Sequence, residues 1–143
     1  MPMVIRKALL SSITAKYKVM RQFVMPVRSL NSSVLKWPDR AQADEAVRLW
    51  IKTESPRHPD LCRLGYFGSY ARGDWGVGSD LDLVAIVRAS TEPFHRRSLN
   101  WDLSSLPVPA DILVYTIADW DQLMTSRSLF ARTLEREAIW IFP

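Results

Sequence analysis

Glycine is scarce in this chain, and its five copies all fall between Gly65 and Gly78. Elsewhere turns are made without it, so the permissive, side-chain-free backbone is concentrated in one segment. Cysteine is scarcer still. The single Cys62 excludes an intrachain disulfide and fits a reducing, cytoplasmic setting. It stands in an apolar stretch and reads as a small buried hydrophobe. The two histidines, His58 and His95, have no cysteine or second histidine at ligand spacing, which argues against a zinc site. No run of eighteen apolar residues occurs, so no membrane-spanning helix is expected.

Acid is missing from the first 38 residues, which carry seven Lys or Arg (Arg6, Lys7, Lys16, Lys18, Arg21, Arg28, Lys36). The remainder carries twelve basic residues against fifteen acidic ones. The overall charge of +4 therefore comes from the leading piece alone, and it does not signal a nucleic-acid-binding domain. Residues 1–38 read as a basic, hydroxyl-rich N-terminal extension, partly disordered, whose composition is that of organellar transit peptides. Met20 and Met25 are alternative starts within it. Residues 39–143 read as one domain, and nearly half of the chain is hydrophobic, enough for a core.

Asp39 is placed to cap a helix from about Arg40 to Thr53, with Ala43, Ala46, Val47, Trp50 and Ile51 as its buried stripe. Ser55 to Asp60 is a breaker cluster, and His58 within it reads as solvated. Leu61–Phe67 and Leu81–Val87 read as strands, joined by the glycine segment and a short helical turn near Tyr70. A helix over Phe94–Leu103, a third strand Ala110–Tyr115, a helix capped by Thr116 or Asp119, a further helix through Leu129–Arg136 and a closing strand Ala138–Phe142 complete a mixed pattern of strands and helices.

Chemistry gathers around the glycines. Asp80 and Asp82 alternate along the second strand and so share a face, roughly 6.5–7 Å apart. Asp111 opens the third strand. Should those strands be neighbours, three carboxylates converge at one sheet edge. Their mutual repulsion calls for a divalent cation, and an all-oxygen donor set favours magnesium. Gly68 and Ser69 follow the first strand and start a helical turn, so backbone amides there can face a phosphate. Arg72 adds a charged donor, or else pairs with Asp74. The segment contains neither a Walker A sequence nor a Gly-x-Gly-x-x-Gly fingerprint. Trp75, between the turn and the acids, reads either as a base-stacking ring or as a core anchor.

Gly68-Ser69, ten residues and then Asp80-Leu-Asp82-Leu83 resembles the signature of the DNA polymerase β-like nucleotidyltransferases. The longer stretch Gly68-Ser-Tyr-Ala-Arg-Gly-Asp74 with Ser79-Asp-Leu-Asp-Leu83 is similar to the minimal nucleotidyltransferases (MNT) in particular, over roughly residues 40–143. The basic extension departs from that pattern. The resemblance implies an α+β fold, a small mixed sheet with helices packed on one face. It implies a metal-dependent enzyme in which Gly68, Ser69, Arg72 and Ser79 bind the phosphates of ATP or another nucleoside triphosphate. Asp80, Asp82 and Asp111 would be the catalytic and metal-holding acids for two Mg2+ ions, with Asp111 as ligand or base. It further implies transfer of AMP to a hydroxyl on a helical HEPN-type partner, as in an MNT/HEPN toxin–antitoxin pair. The six tryptophans suit such a partner, or a homo-oligomer. A small-molecule (aminoglycoside-type) nucleotidyltransferase and a non-catalytic partner-binding module are the rival readings.

Overall fold

The computed structural model describes residues 37–143. The basic extension, apart from Trp37 and Pro38, lies outside the described residues. Helix α1 (Arg40–Glu54) begins at a reciprocal cap: the Gln42 amide donates to Asp39 Oδ1 at 2.8 Å and the Asp39 amide to Gln42 Oε1 at 2.9 Å. Ala43, Val47, Trp50 and Ile51 recur at helical spacing and are buried. This stripe docks the helix on the sheet, and two polar bonds fix its roll. Trp50 Nε1 donates to the Asp102 carbonyl at 2.7 Å, and Tyr66 donates to Asp44 at 2.8 Å.

The sheet contains β1 (Leu61–Phe67), β2 (Leu81–Val87), β3 (Ala110–Thr116) and β4 (Ile139–Phe142), in the spatial order β3-β2-β1-β4. β1 runs antiparallel to both β2 and β4, while β2 and β3 are parallel. Strand β2 is therefore central, and all seven of its residues are buried. This explains why it reads as a continuous apolar run interrupted by a single acid. At Gly65 the β4 backbone comes so close that a Cβ would run into the Ile139 carbonyl. Only glycine permits that approach of the two strands.

Alternation along the strands sorts the core into two layers. Leu81, Leu83, Ala85 and Val87, with Ala110, Ile112 and Val114, join the α1 stripe on one face. Val84, Leu113 and Tyr115 join Leu134 and the partly buried Trp120, Leu123, Phe130 and Trp140 on the other. That second layer is roofed by α4 (Ile117–Ser126) and α5 (Leu129–Glu137). The α+β class and mixed sheet are as expected, but the helices cover both faces and not one. Short helices α2 (Ser69–Arg72) and α3 (Phe94–Arg97) lie in the β1–β2 and β2–β3 connections.

Three local expectations change. The helix expected over Phe94–Leu103 stops at Arg97 and continues as a single 3-10 turn, Ser98–Asn100. His58 is not solvated: its ring stacks on Trp101 with centroids 3.6 Å apart, and its Nε2 lies 3.0 Å from Oε1 of the buried Glu54. Cys62 is half-buried, beside the irregularity in pairing between Leu61 and Arg63. The remaining elements match the sequence reading to within a few residues. Among the described residues, no helix is long and apolar enough to cross a membrane.

Candidate active site

Strand register does the first part of the assembly. Asp82 and Asp111 are each the second residue of their strand, and the parallel pairing sets Asp82 directly beside Asp111. Both lie on the face that carries Val84 and Leu113, beneath α5, and both are nearly closed off, with 8% and 2% of their surface exposed. Adjacent strands stand about 4.8 Å apart, so two carboxylates share one small volume. Asp80 precedes β2 by one residue and is half-buried. The structure thus brings Asp82 and Asp111 together and leaves Asp80 at the approach to the strand. Among the described residues, no three His, Cys, Asp or Glu side chains form a group that could hold a metal ion.

The glycine turn supplies the second part. Gly68 follows β1 at φ 79°, ψ −152°, a conformation that essentially only glycine adopts. A Cβ on it would overlap the Asp82 carboxylate. The main chain therefore lies flat against that acid and turns at once into α2. The first amides of any helix lack carbonyl partners within it, and here these are the amides of Ser69 to Ala71. Beneath the turn, Tyr70 is buried and donates to the Pro38 carbonyl at 3.0 Å. Trp75 stacks on the Tyr70 ring, with centroids 5.9 Å apart and planes 7° from parallel. Trp75 is thus anchored to the loop through one face of its ring.

Two expected phosphate ligands already have protein partners. Arg72 Nε donates to Asp74 at 2.9 Å, and its NH1 donates to Glu137 of α5 at 3.4 Å. The hydrogen bond to Asp74 pushes the guanidinium further above its usual range. The Ser79 hydroxyl accepts from the Gly76 amide at 2.8 Å and the Ser79 amide donates back to the Gly76 carbonyl at 3.0 Å, so this side chain closes the turn before Asp80.

A cleft of about 320 Å3 opens where these parts meet. One wall is Phe67, Gly68, Ser69, Arg72 and Asp82; the other is α5, through Leu129, Phe130, Thr133 and Glu137. Asp111 stands next to Asp82 in the sheet behind this opening. The α5 wall is what sequence reasoning missed. Its residues spell an ordinary amphipathic helix, and only the pairing of Arg72 with Glu137, 65 residues apart, reveals the alignment. A smaller cavity of about 190 Å3, at the opposite end of the sheet beside His58 and Trp101, contains none of the expected site residues.

Comparisons with known proteins bear on the domain as a whole. Residues 42–141 match the family model described as a nucleotidyltransferase domain. A crystal structure from Sulfolobus solfataricus, provisionally described as a nucleotidyltransferase, superposes with a TM-score of 0.51 at 16% sequence identity, covering 71% of this chain and 80% of that one. At that identity the likeness concerns the fold. No curated protein matches the chain significantly.

Proposed function

The chain belongs to the nucleotidyltransferase domain family, and on that premise we propose that it moves a nucleoside monophosphate, AMP from ATP in the first instance, onto a hydroxyl of a partner protein. The observation that carries this reading is the paired burial of Asp82 and Asp111 directly behind the Gly68 turn. Two carboxylates side by side form an all-oxygen donor set, and it fits a magnesium-type cation that completes its shell with water and substrate phosphates. Asp80, two residues before Asp82, is the third acid available to such ions. When bound, the cations supply charge neutralisation on the phosphates and a lowered pKa for the acceptor hydroxyl.

The protein's own part is binding and positioning. The amides and hydroxyl at Ser69 face the triphosphate, and Arg72 reaches it by exchanging a carboxylate for a phosphate oxygen. Gly68 lets the phosphate chain approach the main chain beside Asp82. Asp111, 2% exposed, is a holding group. The acceptor oxygen then bonds to the α-phosphorus, the bond to the bridging oxygen breaks, pyrophosphate leaves and the acceptor proton is lost to water. Held geometry and charge neutralisation supply most of the acceleration.

A protein acceptor is the acceptor class that the resemblance to the minimal nucleotidyltransferases implies. A helical HEPN-type protein is the partner of choice, which would make this chain the antitoxin. The test is incubation with α-labelled ATP, Mg2+ and the helical product of a neighbouring reading frame. Label should appear on that partner and be lost, by at least about 10²-fold, in Asp82→Asn. Label on a small hydroxylated compound instead would favour the aminoglycoside-type reading. Complex formation with no transfer would favour a binding module.

A further inference from the structure

The cleft is graded along α5. At the carboxyl end of that helix, Glu137 meets Arg72 across the opening. One helical turn back stands Thr133, and at the amino end stand Phe130 and Leu129. Leu129 and Glu137 are eight residue steps apart, about 12 Å along the axis. Charge thus gives way to a hydroxyl and then to hydrocarbon along one wall, opposite the acids and the glycine turn. A nucleoside triphosphate has the same order: anionic tail, hydroxylated sugar, flat apolar base.

We infer that Leu129 and Phe130 form the nucleobase subsite and that Thr133 meets the ribose. This rests on the nucleotide reading above and extends it to residues outside the family signature. Leu129 is 71% exposed although it is a large hydrophobe lining a cleft, as a residue that waits for an apolar ligand would be. Phe130 meets Phe67 of the facing wall edge-on, with centroids 5.9 Å apart, and this contact fixes its ring at the margin of the cleft. The Thr133 hydroxyl donates to the Leu129 carbonyl at 2.9 Å, which leaves its oxygen lone pairs to accept from a sugar hydroxyl. A contact of this kind is apolar and shape-based, so the subsite selects a planar base at this position and leaves discrimination among bases to other groups.

Calorimetric titration of the full chain with ATP and with inorganic triphosphate, both with Mg2+, tests the assignment. The wild-type chain should bind ATP more tightly than triphosphate. Leu129→Asp should erase about tenfold of that preference while leaving triphosphate affinity unchanged. Thr133→Val should weaken ATP binding but not binding of 2′,3′-dideoxy-ATP. If ATP binds and Leu129→Asp leaves its preference over triphosphate intact, the subsite is elsewhere. If the wild-type chain binds neither compound, the nucleotide reading itself falls. The exposure of Leu129 keeps its replacement clear of the core, and a thermal melt alongside each titration verifies the fold.

Discussion

The backbone of Gly68 rests against the carboxylate of Asp82, with no room between them for a single methyl group. The glycine is required on two counts, its backbone angles and this contact. Gly68→Ala should lower unfolding stability by about 1–3 kcal/mol, the range for a non-glycine residue forced into such a conformation. It should also displace Asp82 and reduce nucleotidyl transfer far more than the stability loss explains. Urea unfolding and a transfer assay on the same preparation measure both. A variant as stable and active as the wild type would show that the turn does not need this contact.

Arg72 is a contrasting case. It is exposed and its bond to Asp74 is a surface pair of small value to the fold, while the Glu137 side chain it also meets is only 9% exposed. Arg72→Ala should lower stability by about 1 kcal/mol, chiefly by taking a cation from Glu137, and raise KM for the nucleotide about tenfold, as expected for one charge-assisted bond. Arg72→Lys should recover part of the loss. Steady-state kinetics over a range of ATP concentrations separate this outcome from a purely structural role.

Alkaline stability should report on Tyr66. Burial, followed by its hydrogen bond to Asp44, pushes the phenol up to about 12. A phenol that ionises less readily in the folded chain than in the unfolded one contributes stability that is complete below the ordinary value near 10 and lost as pH rises through 12. Tyr66→Phe should therefore lose about 1 kcal/mol at pH 7. Its gap from wild type should close between pH 10 and 12, as read from denaturant midpoints across that range. A constant gap would mean that the phenol titrates normally.

Acid stability should report on Asp119. Partial burial pushes this carboxyl up, but the Arg97 guanidinium at 2.6 Å and the cap it shares with Thr116 outweigh that and hold it below the usual range. A depressed carboxyl contributes stability that is present above its unfolded value and lost as pH falls through its folded one. Asp119→Asn should lose about 1 kcal/mol near neutrality, a capping-scale figure that already allows for solvent at a partly exposed pair. The loss should vanish in acid, below the ordinary carboxylate range. Thermal midpoints from pH 7 down to pH 2 measure it.

Much of this architecture could be read from residue order. The Asp39 cap, the helical stripe from Ala43 to Ile51 and the branched run Leu81–Val87 are local patterns, and local geometry honours them. The Asp82–Asp111 pairing was legible for the same reason, because each acid opens an apolar strand. His58 was not legible, since its setting depends on Trp101, which follows it by 43 residues and closes over it in space. Nor was the second helical layer, because a periodic stripe identifies a buried side without saying which sheet face it meets. Arg72 and Ser79 read as phosphate-binding groups of the loop, but their present partners, Glu137 and Gly76, follow from tertiary closure and turn geometry.

The two walls of the cleft come from distant parts of the chain: the glycine turn and Asp82 arrive early, while α5 and the β4 strand that follows it arrive 65 residues later, as measured between Arg72 and Glu137. A segment containing every signature residue would still have only half a pocket. Catalytic competence then belongs to the whole sheet and to no stretch of it. Anything that peels away the last helix and strand, whether a destabilising lesion, a protease or a partner that captures them, would switch the enzyme off with its acids untouched.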